Sequence, residues 1–368
     1  MISEPSFVPE NSPPSPSGPT FASRLARAWL GRGLQARLLW PLSLLFGLLA
    51  AARRAMYALH LRRSIRLPVP VVVVGNIFVG GTGKTPLTIW LVQALRRAGY
   101  TPGVVSRGYG SRGAVQTPRA VIIGGDPALY GDEPLLIAEQ AHCPVMVGRR
   151  RVDAARALLQ VHPGIDVIIS DDGLQHYALA RDIEIVLSDS RGVGNGWLLP
   201  AGPLREPVGR RRDFTVVNLS GGAPGADAGP NEIGMTIAGD DAWQLRDPGC
   251  RRPLRDFAAD TDPGAPQLHT RIAAAAGIGN PVRFFDTLRQ AGLRFSELPL
   301  PDHYRFSENP FAGLDADTIL ITAKDAVKCR TIESIRNDQR IWVVPVTAHL
   351  DGPLAEQIVE KLRERPTA

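Results

Sequence analysis

Residues 71–86 read VVVVGNIFVGGTGKTP: a run of four valines, a glycine-rich loop, and Gly83-Lys84-Thr85 leading into a segment of helical composition. A short apolar strand that ends in bare glycines lets backbone N–H groups close around phosphate oxygens, and the N-terminus of the following helix adds partial positive charge. The spacing makes residues 78–85 (Phe78, Val79, Gly80, Gly81, Thr82, Gly83, Lys84 and Thr85) the expected phosphate cradle. Lys84 is expected on the outer phosphates and the Thr85 hydroxyl on Mg²⁺. The common G-x-x-x-x-G-K-[ST] spacing places glycine where this chain has Phe78, so the loop is a variant that keeps only the GGTGKT core.

Downstream, short apolar runs alternate with helical stretches. Strands are expected near 104–106, 120–123, 145–147, 167–170, 183–187 and 214–217, with a helix from Lys84 to about Arg97. Continuous apolar strands separated by helices indicate a parallel sheet covered on both faces. Asp171 and Asp172 follow one of these strands, at the end where open α/β sheets bind ligands, and are expected to serve Mg²⁺, a hard ion that favours oxygen. A Gly-, Asp- and Pro-rich stretch at 221–268 precedes a second set of strands and helices. The predicted architecture is α/β: a P-loop parallel-sheet domain at 67–225, a linker or hairpin at 226–268, and a smaller α/β domain at 269–368.

Upstream of the loop, residues 1–20 are Pro- and Ser-rich without periodicity and are expected to be a disordered tail. Residues 38–52, LLWPLSLLFGLLAAA, have Ser43 as their only polar member and carry arginines on both flanks. Fifteen residues of helix reach about 22 Å, short of the roughly 30 Å hydrocarbon core. The segment 21–66 is therefore expected to be a membrane-associated helix lying in or dipping into one leaflet, its arginines favouring anionic headgroups. The net charge of +6 does not by itself choose among nucleic acid, an anionic membrane and an acidic small substrate. Nucleic acid is disfavoured because the arginines are dispersed and no recognition motif accompanies them. Cys143, Cys250 and Cys329 have no C-x-x-C spacing and are expected to be reduced structural residues.

Several longer strings then converge: SRGYG (106–110), GDEP (131–134), DDGLQH (171–176), PAGPLREP (200–207), AGIGNPVRFF (276–285), DHYRF (302–306) and ITAKDAVK (321–328). With the glycine loop, their order and spacing resemble the tetraacyldisaccharide 4'-kinase family of lipid A biosynthesis. The resemblance implies ATP and Mg²⁺ as cofactors and an acylated disaccharide 1-phosphate as acceptor. It also implies an anionic membrane surface as partner, the cytoplasmic face of the bacterial inner membrane as location, and no obligate protein partner. Asp132 then matches the family's catalytic carboxylate and His303 the histidine that works with it. Asp171, Asp172, Gln175 and His176 match the motif tied to Mg²⁺ and the lipid headgroup, and Arg205-Glu206 a further active-site pair. Ala323 departs from the pattern, standing where glutamate is expected. The alternative reading is a membrane-associated P-loop ATPase or GTPase switch that hydrolyses nucleotide without a lipid acceptor.

Overall fold

A computed structural model describes residues 25, 28–109, 111, 117–220, 232–259 and 270–365. The tail expected at 1–20 lies outside them. Fifteen strands are described: β1 Val71–Gly75, β2 Pro102–Ser106, β3 Arg119–Ala120, β4 Val145–Val147, β5 Val167–Asp171, β6 Ile183–Asp189, β7 Phe214–Asn218, β8 Ile233–Ala238, β9 Asp241–Gln244, β10 Arg251–Pro253, β11 Ile272–Ala276, β12 Ser296–Pro299, β13 Thr318–Thr322, β14 Ile341–Val344 and β15 Thr347–Leu350. They form a nine-stranded sheet in the order β15-β8-β7-β6-β1-β5-β2-β4-β3 and a six-stranded sheet in the order β10-β9-β14-β13-β11-β12. The centre of each sheet is parallel.

The valine run shows why β1 is central. Val72 and Val74 enter one core with Leu87 and Leu91 of the helix Lys84–Arg97, while Val71 and Val73 enter another with Ala154, Ala155 and Leu158 of the helix Arg151–Val161. Successive residues of a strand point to opposite faces, so a strand without polar alternation must be covered on both. The smaller sheet repeats this: Ala273, Ala275, Ile319 and Ile321 face one core, and Ala274, Ala276 and Leu320 face another with Phe284, Phe285 and Leu288. Tyr130, Leu135 and Leu136 share the first of those cores, so the two sheets are joined by apolar packing beside the helix Asp132–Ala141.

The boundaries expected at 226–268 and 269–368 need correction. β8 extends the larger sheet beside β7, whereas β9 and β10 extend the smaller one beside β14. After β14 the chain returns, β15 pairing antiparallel with β8. The last helix, Leu354–Arg363, then buries Leu354, Ile358 and Leu362 in the core that holds Leu87 and Leu91. Its four-residue apolar spacing makes one stripe, and that stripe is covered on the larger domain. The strand expected at 120–123 is reduced to β3. After β13 the chain forms two short helices, Ala323–Cys329 and Glu333–Arg336, divided where Thr331 bonds back to the Lys328 carbonyl through its N–H and hydroxyl.

The N-terminal apolar segment is a helix, Leu34–Ala58, long and apolar enough by length and composition to cross a membrane. It lies along the larger domain through Ser43, whose buried hydroxyl donates to the Leu198 carbonyl at 2.8 Å and accepts from the Ala201 N–H at 2.8 Å. Further along, Arg53 donates to the Gln175 carbonyl and Tyr57 packs against Tyr177. Leu38, Leu42, Leu45 and Leu49 are left exposed on the helix. Cys143 and Cys329 are buried free thiols and Cys250 is an exposed one.

Candidate active site

Asn76 organises the glycine loop from within. Its buried amide donates to the Gly80 carbonyl and to Thr82 Oγ1, both at 3.1 Å, and its oxygen accepts from Lys84 Nζ at 3.3 Å. Asn218, at the end of β7, donates to the Thr82 carbonyl at 2.9 Å. Gly83 has φ of 101°, and a Cβ there would fall 2.8 Å from the Asn218 amide nitrogen, so conformation and crowding both demand glycine at this position. Gly81, Thr82, Gly83, Lys84 and Thr85 line a cleft between the two sheets, together with Glu133, Arg283 and Lys324.

Phe78 and Val79 do not line that cleft. Phe78 is buried among Ile77, Leu174 and Leu204, its backbone bridges to Leu204, and Val79 N–H donates to the Pro203 carbonyl. A bulky ring has no room beside phosphates, and here it anchors the 200–207 loop to the phosphate loop.

Asp171 and Asp172 stand at the carboxyl end of β5 and differ in environment. Asp172 has φ of 48° and turns to Arg205 at 3.3 Å and Lys84 at 3.8 Å. Burial raises its pKa, but Lys84, Arg205 and Arg151 outweigh that and hold the carboxyl below the usual range. Asp171 is buried and accepts from Ser106 Oγ at 3.0 Å, while its Oδ1 has no partner. Burial, then the negative charges of Glu133 and Asp172, push its pKa up to about 6. A buried carboxylate oxygen without a donor, beside two further carboxylates and a phosphate loop, fits a hard divalent ion. Among the described residues no cluster of three or more His, Cys, Asp or Glu forms a metal cage. Mg²⁺ held by one or two carboxylates and by phosphates needs none.

Next to Glu133 of that cleft, Asp132 opens the helix Asp132–Ala141 and is buried. Its Oδ2 lies 3.0 Å from His303 Nδ1 and 2.9 Å from Lys328 Nζ, and its Oδ1 accepts from the Glu133 N–H at 3.0 Å. Burial opposes ionisation of Asp132, but the His303 hydrogen bond and the charges of Lys324 and Lys328 win and hold the carboxyl far below its usual range. The same bond raises the His303 pKa against burial and Lys324. His303 has φ of 57°, lies 5.3 Å from the Tyr109 ring at a tilt of 55° and is half-buried, so its ring meets solvent where the carboxylate does not.

The remaining expected residues form a separate group. Gln175 donates to Glu206 at 3.0 Å, and Glu206 is enclosed by Arg210 at 3.1 Å and Arg54 at 3.7 Å. His176 lines an arginine-rich cleft with Arg53, Arg107 and Arg151, where burial and those charges lower its pKa to about 4. Lys328 and Glu133 were not among the expected site residues. Lys324 and Lys328, four apart, share one helical face, and Lys324 meets Glu133 at 2.9 Å. That spacing was the available signal for a pair of ammonium groups serving one site.

Comparison with known proteins agrees with this arrangement. A family model described as tetraacyldisaccharide-1-P 4'-kinase matches residues 35–363. The chain belongs to that family. Relatives named tetraacyldisaccharide 4'-kinase from Janthinobacterium sp. (strain Marseille) and Herminiimonas arsenicoxydans are 63% and 61% identical; each alignment covers 94% of this chain, with 97% and 96% of the relative. A crystal structure of LpxK from Aquifex aeolicus in complex with ATP superposes with a TM-score of 0.73 at 26% identity, covering 89% of this chain and 100% of that one. The two-sheet α/β fold of this kinase is therefore shared across distant family members.

Proposed function

We propose that this kinase transfers the terminal phosphate of ATP to the 4'-hydroxyl of a tetraacyldisaccharide 1-phosphate. The observation that carries the reading is a phosphate loop that shares its cleft with Glu133 and Lys324, an ion pair that adjoins the carboxylate–imidazole pair Asp132–His303 joining the two domains. A nucleotide switch has no use for such a pair.

Lys84 and the loop N–H groups bind and orient the phosphates. Thr85, Asp171 and Asp172 would hold Mg²⁺, which supplies charge neutralisation across the outer phosphates. The Asp132–His303 pair orients the acceptor hydroxyl and takes its proton, and Lys328 holds the carboxylate in place. Phosphoryl transfer asks chiefly for positioning and neutralised charge, and a cleft between two domains supplies both. Gln175, His176, Arg205 and Glu206 would shape the headgroup side. Ser43, Arg53 and Tyr57 tie the helix Leu34–Ala58 to the larger domain along its length, so despite a length sufficient to span it would lie in one leaflet on the cytoplasmic face, keeping the enzyme where its acylated acceptor resides.

Labelled ATP tests the reaction directly. Label should move to the disaccharide lipid in a Mg²⁺-dependent way; release of all label as free phosphate, with the lipid unlabelled, would sink the reading. For the helix, replacing Leu38, Leu42, Leu45 and Leu49 by serine should release the protein from membranes, since burial is worth roughly 0.8 kcal/mol per CH₂. Unchanged sedimentation with membranes would assign attachment to another surface.

A further inference from the structure

Asp189 ends β6 beside the phosphate loop, and its buried carboxylate faces two guanidinium groups. Arg191, two residues on, grips it with Nε at 3.0 Å and Nη2 at 2.7 Å. Arg283, from the helix Pro281–Gln290 of the smaller domain, reaches the same Oδ2 with Nη2 at 2.7 Å. Both arginines also donate to the Gly81 carbonyl, at 3.1 and 3.4 Å. Arg191 is further fixed by lying 4.4 Å over the Phe78 ring. Arg283 lines the cleft with Lys84 and Thr85. Gly279, in the turn before its helix, approaches so closely that a Cβ there would sit 3.5 Å from Gly81 N. The smaller domain thus touches the phosphate loop through this turn and Arg283.

Two guanidinium charges share one carboxylate, which leaves a surplus positive charge next to a loop built for phosphates. A planar guanidinium matches phosphate oxygens as well as it matches a carboxylate. Gly81 lies three residues before Lys84, the outer-phosphate cation. The same domain sends His303 and Lys324 to the acceptor wall, where they meet Asp132 and Glu133. We infer that Arg283 is the terminal-phosphate cation of this kinase: Asp189 and the Gly81 carbonyl hold it in position, and it donates to the transferred phosphate of bound ATP. Arg191 stays on Asp189 and Phe78 as the fixed partner. Asp189 is a positioning residue, and nucleotide with a terminal phosphate draws the smaller domain onto the loop through Arg283.

The inference rests on ATP occupying this cleft, and binding measurements separate the two. Titration calorimetry on the full chain would compare a non-hydrolysable ATP analogue with ADP, each with Mg²⁺. Arg283→Gln should weaken the analogue about 10- to 100-fold, as loss of a charged hydrogen bond to phosphate implies, and leave ADP within about 2-fold. Arg283→Lys should recover part of the loss and serves if the glutamine variant folds poorly. Equal weakening of both nucleotides, or no change in either, overturns the assignment. Failure of the unaltered protein to bind either nucleotide overturns the reading of the cleft itself.

Discussion

The nucleotide side of the cleft is one contiguous run, Gly81–Thr85, held by Asn76 and Asn218, whereas the proposed acceptor side gathers Asp132 and His303 from positions 171 residues apart. The loop works through backbone groups that any sequence with the right glycines presents, so its geometry is set first by local conformation and then braced by Asn218, Arg191 and Arg283. The pair exists only while two domains are packed together, and its groups are tuned by one another: Asp132 is depressed by His303 and the lysines, and His303 is raised by Asp132. Local construction makes the loop robust to change elsewhere. Distributed construction makes the pair sensitive to domain placement.

The largest expected effect tests whether the distributed side acts as one unit. Asp132→Ala and His303→Ala should each lower kcat by about 10²- to 10⁴-fold, and the double variant should fall little further. Losses that multiply would assign the two residues to separate tasks. Lys84→Ala, on the contiguous side, should lower kcat by about 10²- to 10³-fold by removing a cation from the developing phosphate charge, with the fold intact by circular dichroism. Combined with Asp132→Ala its loss should multiply, because the two act on different reactants. Wild-type turnover in Lys84→Ala would end the P-loop reading.

The same contrast explains what the sequence disclosed. Phosphate loop, parallel sheet and apolar helix were legible because each is a local pattern of glycines, valines or leucines. Asp132 and His303 were reached only through family resemblance, since no spacing rule links residues that meet across a domain interface. The burial of the Phe78 ring away from the cleft was not legible because a position inside a motif says nothing of where its side chain packs. The return of β15 to the larger sheet was hidden for a related reason: a four-residue strand, Thr347–Leu350, carries no mark of which sheet edge it will join.

A smaller effect is electrostatic. The Asp132 hydrogen bond is the main cause of the raised His303 pKa, with burial and Lys324 opposing it. Asp132→Asn removes the two larger raising contributions and leaves that of Asp302 against burial and Lys324. The His303 ring, followed by NMR, should then become neutral at a lower pH than in the unaltered enzyme. In the unaltered enzyme, activity should rise with pH through the raised pKa, because only the neutral ring can relay a proton. A His303 titration indifferent to Asp132→Asn would break the pairing that defines this side of the cleft.

The smallest expected effect isolates the helix beside the acceptor side. Ser43 is the one polar residue in the run 38–52, and it is spent on the Leu198 carbonyl and the Ala201 N–H, in the segment that leads to Arg205 and Glu206. Ser43→Ala would leave the Ala201 N–H without its partner in a buried seam, while the Leu198 carbonyl keeps the Gly202 N–H, at a cost of about 1–3 kcal/mol. The exposed leucines are untouched, so membrane sedimentation should be unchanged while the melting temperature falls by several degrees, at about 2–4 °C per kcal/mol for large domains. If the helix also fixes the loop that meets the acceptor, KM for the lipid should rise while KM for ATP stays the same, because the 200–207 loop meets the phosphate loop at Phe78 and Val79, outside the cleft, and Gly80–Lys84 is ordered by Asn76 and Asn218. Equal changes in both constants would show that the helix stabilises the whole larger domain and not the acceptor side in particular. An unchanged lipid KM, with the melting temperature lowered, would reduce the Ser43 contact to a seam that holds the helix and nothing more.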